Sequence, residues 1–186
     1  MESRSRNKLD ELIQIADFRL QILDFKFMLE KVKAEDFSYI YELYMNPEVN
    51  PYLLYEMIDE ETFKPIFEEL LQAKVLYLYK EDSKTVGMCK LIRQKHRNEH
   101  NLYIGGVAIH PDYFGKGFGR KMMLEIIDLC SKIGILRLEL SVAVHNERAI
   151  QLYENVGFSE EGVMKKYTFL KSKNQYIDEV LMSKLL

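Results

Sequence analysis

Glycines alternate at positions 115, 117 and 119 in Val107-Ala108-Ile109-His110-Pro111-Asp112-Tyr113-Phe114-Gly115-Lys116-Gly117-Phe118-Gly119-Arg120-Lys121. This segment runs from an apolar strand-like stretch, across a proline turn, into a helical pattern. Glycine takes positive φ readily and lets backbone N–H groups approach a ligand with no Cβ in the way. The helix start adds unpaired N–H donors and the positive end of the helix dipole, so the loop is built to cradle a phosphate or pyrophosphate. Lys116 and Arg120 bring positive charge to the same place.

Two nucleotide-binding patterns are excluded by spacing. A P-loop would place Gly-Lys-Ser/Thr where Arg120, Lys121 and Met122 stand. A dinucleotide fingerprint would need its third glycine at Arg120, and it belongs near the start of a βαβ unit. Further along comes Asn146-Glu147-Arg148-Ala149-Ile150-Gln151-Leu152-Tyr153-Glu154-Asn155-Val156-Gly157-Phe158, a short helix with Asn at its N-cap and Gly just beyond its end.

The two segments together, in this order, resemble the GNAT superfamily of acyl-CoA-dependent N-acetyltransferases. That family's loop is written Gln/Arg-x-x-Gly-x-Gly/Ala, matched by Gly117 and Gly119, and its later helix Asn-x-x-Ala-x-x-Leu-Tyr-x-x-x-Gly-Phe, matched at every named position. The resemblance covers about Thr85 to Leu186 clearly and the earlier chain loosely. One departure is Phe114, which stands where the family usually has Gln or Arg; Lys116 or Arg120 is the expected compensation.

Acetyl-CoA as cosubstrate is what the resemblance implies, with Val107, Ala108 and Ile109 along its arm. Gly115, Lys116, Gly117, Phe118, Gly119 and Arg120 would surround its pyrophosphate, with Asn146 and Tyr153 beside its reactive end. Acyl transfer to an amine needs a deprotonated nucleophile, stabilisation of charge on the carbonyl oxygen, and a proton for the leaving thiolate. Tyr153 is the candidate acid, because a phenol with a pKa of about 10 is protonated at neutral pH. Helix packing through Ala149, Leu152, Tyr153 and Val156 would also explain its position. The base is not evident: the strand Tyr103-Ile104-Gly105-Gly106 has no acid where the family often has one. Glu139 is a candidate, or a charge partner of Arg137 or Lys132. Glu99, His96 and His100 fall in an expected exposed turn, and no metal site is expected.

The elements that must position these residues follow from periodicity. Leu9, Leu12, Ile13, Ala16, Leu20 and Leu23 recur at helical spacing. This gives an N-terminal extension over 1–24, whose roles are a packed extension, a homodimer contact or a membrane-surface element. A GNAT-like domain over 25–186 follows. Its strands are expected over Phe25–Val32, Lys74–Tyr79, Thr85–Arg93, Leu102–Ile109, Leu136–Val144, Phe158–Leu170 and Gln175–Met182. Helices are expected over Ala34–Met45 and Glu60–Ala73, after the glycine loop, and at Asn146. Gly105-Gly106 inside a strand predicts a bulge or the close approach of another backbone; in the family a bulge here helps the strand splay from its neighbour. The fold class is α/β (α+β), a mixed, twisted central β-sheet flanked by helices.

Composition sets outer bounds. The chain has 186 residues, 47% hydrophobic and 30% charged, which is a soluble globular profile. No apolar run reaches membrane-spanning length and the first residues lack the core of a secretory signal, so a cytoplasmic protein without a membrane partner is expected. A net charge of −3 argues against nucleic acid. Cys89 and Cys130 are expected to be buried free thiols. A primary amine of a small molecule (amine, amino acid or polyamine) is the expected acceptor. The alternatives are a protein N-terminus and a non-catalytic CoA-binding module. The stretch from Met45 to Phe67, with Tyr52, Tyr55, Phe63 and Phe67 among Glu48, Glu56, Asp59, Glu60 and Glu61, reads either as an acceptor wall attracting a cation or as residues that cap and solvate the next helix.

Overall fold

Period-two stretches and glycine-bounded helical stretches interleave along the chain, and they fold into one mixed sheet with helices on both faces. A computed structural model describes residues 28–186. The predicted N-terminal helix, and the start of the predicted first strand, lie outside the described residues. In chain order the elements are β1 (Leu29–Lys31), α1 (Phe37–Tyr44), α2 (Glu60–Ala73), β2 (Leu76–Glu81), β3 (Lys84–Arg93), β4 (Asn101–Ile109), α3 (Phe118–Lys132), β5 (Arg137–Ala143), α4 (Glu147–Glu154), β6 (Ser159–Leu170) and β7 (Gln175–Leu185). The strand order is β1-β2-β3-β4-β5-β7-β6. Among the described residues β4 and β5 are the one parallel pair, and the other neighbours are antiparallel.

The strand alternation divides the core in two. Tyr77, Tyr79, Cys89, Ile104, Leu138, Leu140 and Val142 face α3 and α4, where Met122, Met123, Ile126 and Tyr153 are buried. Leu76, Leu78, Met88 and Ala108 face α1 and α2, against Ile40, Leu43, Tyr44, Phe63 and Phe67. Cys89 and Cys130 are free and buried, and burial pushes the Cys130 thiol up to about 12, so both are inert packing atoms. Among the described residues no helix is long and apolar enough to cross a membrane.

Local chemistry explains most boundaries. Asp59 caps α2, its carboxylate accepting from the Thr62 N–H at 2.8 Å. The β2–β3 hairpin turns through Asp82 and Ser83, both at positive φ. Residues 34–36, expected as helix, form a 3-10 turn before α1, with Asp36 accepting from the Lys33 N–H. Leu136 and Val144 continue the alternation of β5 but lie beyond its ends and are exposed.

Two features of β4 open the sheet. Met88 pairs with Ala108 and Lys90 with Gly105, so β4 carries one extra residue between those pairs, and Gly106 there has φ +54°. This is the bulge expected from the glycine pair. Pairing of β4 with β5 covers Asn101 to Tyr103 against Arg137 to Glu139 and goes no further. Beyond that point the two strands diverge and leave a gap in the middle of the sheet.

Candidate functional site

The gap lies between two cavities, of about 550 Å³ and about 480 Å³. The larger is a cleft bordered by Val107, Ala108 and Ile109 on the free edge of β4 and by the start of α3. Gly115, Gly117, Phe118, Gly119 and Arg120 line it, as do Asn146 and Tyr153. Gly115 and Gly117 have φ of +72° and +79°, and nothing lies within 4 Å of where a Cβ on either would sit. Gly117 is the N-cap of α3, and the first N–H groups of the helix have no intrahelical acceptor. An open, donor-lined bowl of this kind fits a pyrophosphate.

Lys116 departs from expectation. Its Nζ donates to the Asp112 carbonyl at 2.7 Å and lies over the Tyr113 ring, so it folds back on its own loop instead of lining the cleft. The charge is supplied by Arg120 and by a residue that spacing did not flag, Arg148 of α4. The Arg148 guanidinium carbon sits 4.9 Å over the ring of Phe114. The aromatic residue at the departing loop position therefore holds a guanidinium from a different element in the same cleft.

Asn146 caps α4, its side-chain oxygen accepting from the Ala149 N–H at 3.2 Å. The helix so fixed presents Tyr153, which is 6% exposed and packs against Phe158. Burial, reinforced by nearby Tyr103, raises the Tyr153 pKa above that of a free phenol, so the hydroxyl keeps its proton. Tyr153, Asn146, Ala149, Val107, Tyr52 and Leu53 line both cavities, so this is where they meet.

The smaller cavity is closed by residues 51–54, β6 and β7. On its floor the Tyr103 hydroxyl lies 2.8 Å from Ser141 Oγ. Ser141 donates in turn to Glu179, and the Thr168 hydroxyl donates to the other carboxylate oxygen of Glu179 at 2.6 Å. Burial raises the Tyr103 pKa. Lys90 and Glu179 are the charged side chains lining this cavity. Lys90, Tyr103, Ser141 and Glu179 all escaped the sequence reading. The available signal for Lys90 was a lysine inside an otherwise apolar strand run; Glu179 is one of many acids, and nothing local sets it apart.

Three sequence candidates are assigned elsewhere. Glu139 pairs with Arg137 Nε at 2.6 Å, and Arg137 also forks onto Glu161, so Glu139 is a structural charge partner. His96 and His100 lie on an exposed turn. The structure divides the aromatic and acidic stretch between the two readings given for it. Phe63 and Phe67 are core, at 0% and 3% exposure, Asp59 caps its helix, and Glu56 accepts from the backbone N–H groups of Lys171 and Ser172. Of that set, Tyr52 and Glu48 reach the cleft. Phe63 and Phe67 fall on the inner face of α2, and Asp59, Glu60 and Glu61 at its cap and first turn, while Glu56 is taken by the backbone before β7.

Strands splayed over a glycine bowl, with a protonated tyrosine at the junction of two cavities, make up the site. The chain belongs to the acetyltransferase (GNAT) family, whose model matches residues 37–158. It is similar to the [ribosomal protein bS18]-alanine N-acetyltransferase of Escherichia coli (strain K12), 39% identical over 61 residues. That match covers 33% of this chain and 41% of the relative's length. Similarity to the spermidine N(1)-acetyltransferase of Vibrio cholerae is longer, 26% identical over 168 residues, or 85% of this chain and 94% of the relative. Among solved structures, spermidine N-acetyltransferase from Vibrio cholerae, in complex with CoA and spermine, superposes with a TM-score of 0.72 at 23% identity, covering 84% of this chain and 94% of that one.

Proposed function

We propose that the protein transfers an acetyl group from acetyl-CoA to the primary amine of a small molecule, by direct attack of the amine on the thioester. The observation that carries this reading is the meeting of the two cavities at Tyr153, one suited to a pyrophosphate and an extended arm, the other to an acceptor. The free edges of β4 and β5 beyond Tyr103 and Glu139 offer backbone amides to the arm. The bowl at Gly115 to Arg120, with Arg148 stacked on Phe114, would hold the pyrophosphate. Bound there, acetyl-CoA supplies an activated acyl group on a thiol whose pKa is about 8.5, a tolerable leaving group.

The side chains of this chain do the rest. Tyr153 holds a proton at the junction and gives it to the departing sulfur. Its raised pKa does not oppose this, since the same dry cleft raises the basicity of a developing thiolate. On the acceptor side, the Tyr103 oxygen takes a proton from the incoming ammonium while its own proton passes to Ser141 and from there to Glu179. Acceptor and donor thus reach the junction from opposite sides. The local likeness to a protein N-terminal alanine acetyltransferase supports a second reading, in which the acceptor is a peptide N-terminus.

The experiment is a turnover screen with acetyl-CoA, reading thiol release, over amino acids, polyamines, arylalkylamines and short peptides. A small-molecule acceptor outcompeting every peptide is expected; peptide preference selects the second reading. Calorimetry with Gly117→Ala checks the bowl independently. The substitution costs about 1–2 kcal/mol of left-handed strain and should weaken acetyl-CoA binding. Unaltered affinity would make the loop a turn and nothing more.

A further inference from the structure

Lys90 is the charged side chain that the described core buries, at 8% exposure, in a run of β3 whose neighbours Val86, Met88, Cys89 and Leu91 are apolar and buried. Burial alone lowers its pKa; no opposing charge contributes. Its recorded contact is the ring of Tyr55, 5.7 Å from Nζ to the centroid. An ammonium set in the cavity wall without a counter-ion carries a desolvation penalty, which a methionine of similar length would avoid.

Its surroundings explain where the charge goes. Lys90 shares one sheet face with Tyr103 and Ser141 and lines the acceptor cavity. The glycine pair in the bulge makes room for its stem: a Cβ on Gly106 would lie 3.1 Å from Lys90 Cε, and one on Gly105 3.5 Å from it. Beside the same bulge the Tyr44 hydroxyl, 3.3 Å from the Gly106 Cβ position, is buried with no hydrogen-bond partner. Of these two donors Lys90 borders the cavity, where a bound anionic group would supply the acceptor it lacks, while Tyr44 lies behind the bulge and lines neither cavity. The other charge in the cavity is the Glu179 carboxylate, beyond Ser141 across the gap. Ile92, Leu54, Leu170, Ile177 and Tyr167 make up an apolar part of the lining.

We propose that Lys90 anchors the carboxylate of the acceptor, so that the substrate class of this site is a free amino acid with an apolar side chain, its amine lying between Tyr103 and Tyr153. This rests on the N-acetyltransferase reading and narrows it. A cavity positive on one side and negative on the other matches a zwitterion. A polyamine would instead bring an ammonium against an unpaired lysine.

The test compares L-leucine, L-methionine and L-phenylalanine with their carboxamides and with spermidine, on the wild type and on Lys90→Met and Lys90→Gln. In the wild type kcat/KM should favour the amino acid over its carboxamide roughly tenfold or more, the range of a charge-assisted hydrogen bond. Lys90→Met should collapse that ratio mainly through the amino acid's KM, and should raise the melting temperature by removing a buried charge. Carboxamides or spermidine turning over as well as the amino acids in the wild type would overturn the anchor while leaving the acetyltransferase intact. A binding arm needs no turnover: N-acetyl-L-leucine is titrated into each protein by calorimetry. Binding that Lys90→Met and Lys90→Gln both lose supports the anchor; no binding to the wild type, or equal binding to all three, overturns it. Failure of every amine and of acetyl-CoA binding alike would sink the parent reading instead.

Discussion

Tyr103 on β4 and Ser141 on β5 stand on opposite sides of the point where the two strands part, with their hydroxyl oxygens 2.8 Å apart. Ser141 is also bonded to Glu179, so a continuous line of hydroxyls leads from the gap to a carboxylate. The opening between the strands and the hydroxyl line to Glu179 are therefore one structure.

Glu179→Gln keeps the shape and removes the proton acceptor. Turnover should fall about 10²- to 10⁴-fold, the range for positioned acid–base groups, with little change in acceptor KM. Turnover unchanged in the variant would assign Glu179 to structure.

Tyr153→Phe removes the proton from the junction but keeps the packing against Phe158. A loss of about 10²-fold or more in kcat is expected, with a melting temperature close to wild type. Wild-type turnover in the variant would return Tyr153 to the core.

Arg148→Ala should weaken acetyl-CoA binding roughly tenfold, the worth of a charge-assisted contact, and should flatten its salt dependence. Arg148→Lys should restore less than the full affinity, because a lysine cannot stack its planar group on Phe114. Titrations at two ionic strengths decide it; equal affinities in all three proteins would place the guanidinium outside the donor site.

Arg137 grips Glu161 through two nitrogens, one at 2.8 Å, and Ser183 Oγ donates to the same carboxylate at 2.6 Å. These bonds hold the Glu161 pKa at about 2, against an ordinary value of 4.5. A carboxyl whose folded pKa is depressed adds stability above its unfolded pKa, and that contribution drains away as pH falls through the folded value. Glu161→Gln should therefore melt below wild type at neutral pH, and the two curves should converge between pH 4.5 and 2. Curves that stay parallel over that window would rule out this linkage.

Local signals made the glycine bowl legible in the sequence. Alternating glycines, the Asn146 cap and the Gly157 stop act through neighbouring backbone atoms, and each appears where spacing put it. The bulge at Gly105-Gly106 was legible for the same reason, as was the alternation of β5. The stretch from Met45 to Phe67 stayed open between two readings, since Phe63 and Phe67 suit a wall or a core equally, and only the packing of α2 on the sheet decides which way they turn.

The sequence by itself determined most of the described elements, the glycine loop and the tyrosine at the motif helix, because those depend on contacts a few residues apart. Tertiary structure alone decided the acceptor side. Lys90, Tyr103, Ser141 and Glu179 come from four strands, β3, β4, β5 and β7, and converge only because those strands are adjacent in the sheet order. Arg148 meets Phe114 only because α4 packs beside the loop that precedes α3. Strand adjacency is set by burial of both sheet faces over the whole chain, so no short pattern records it.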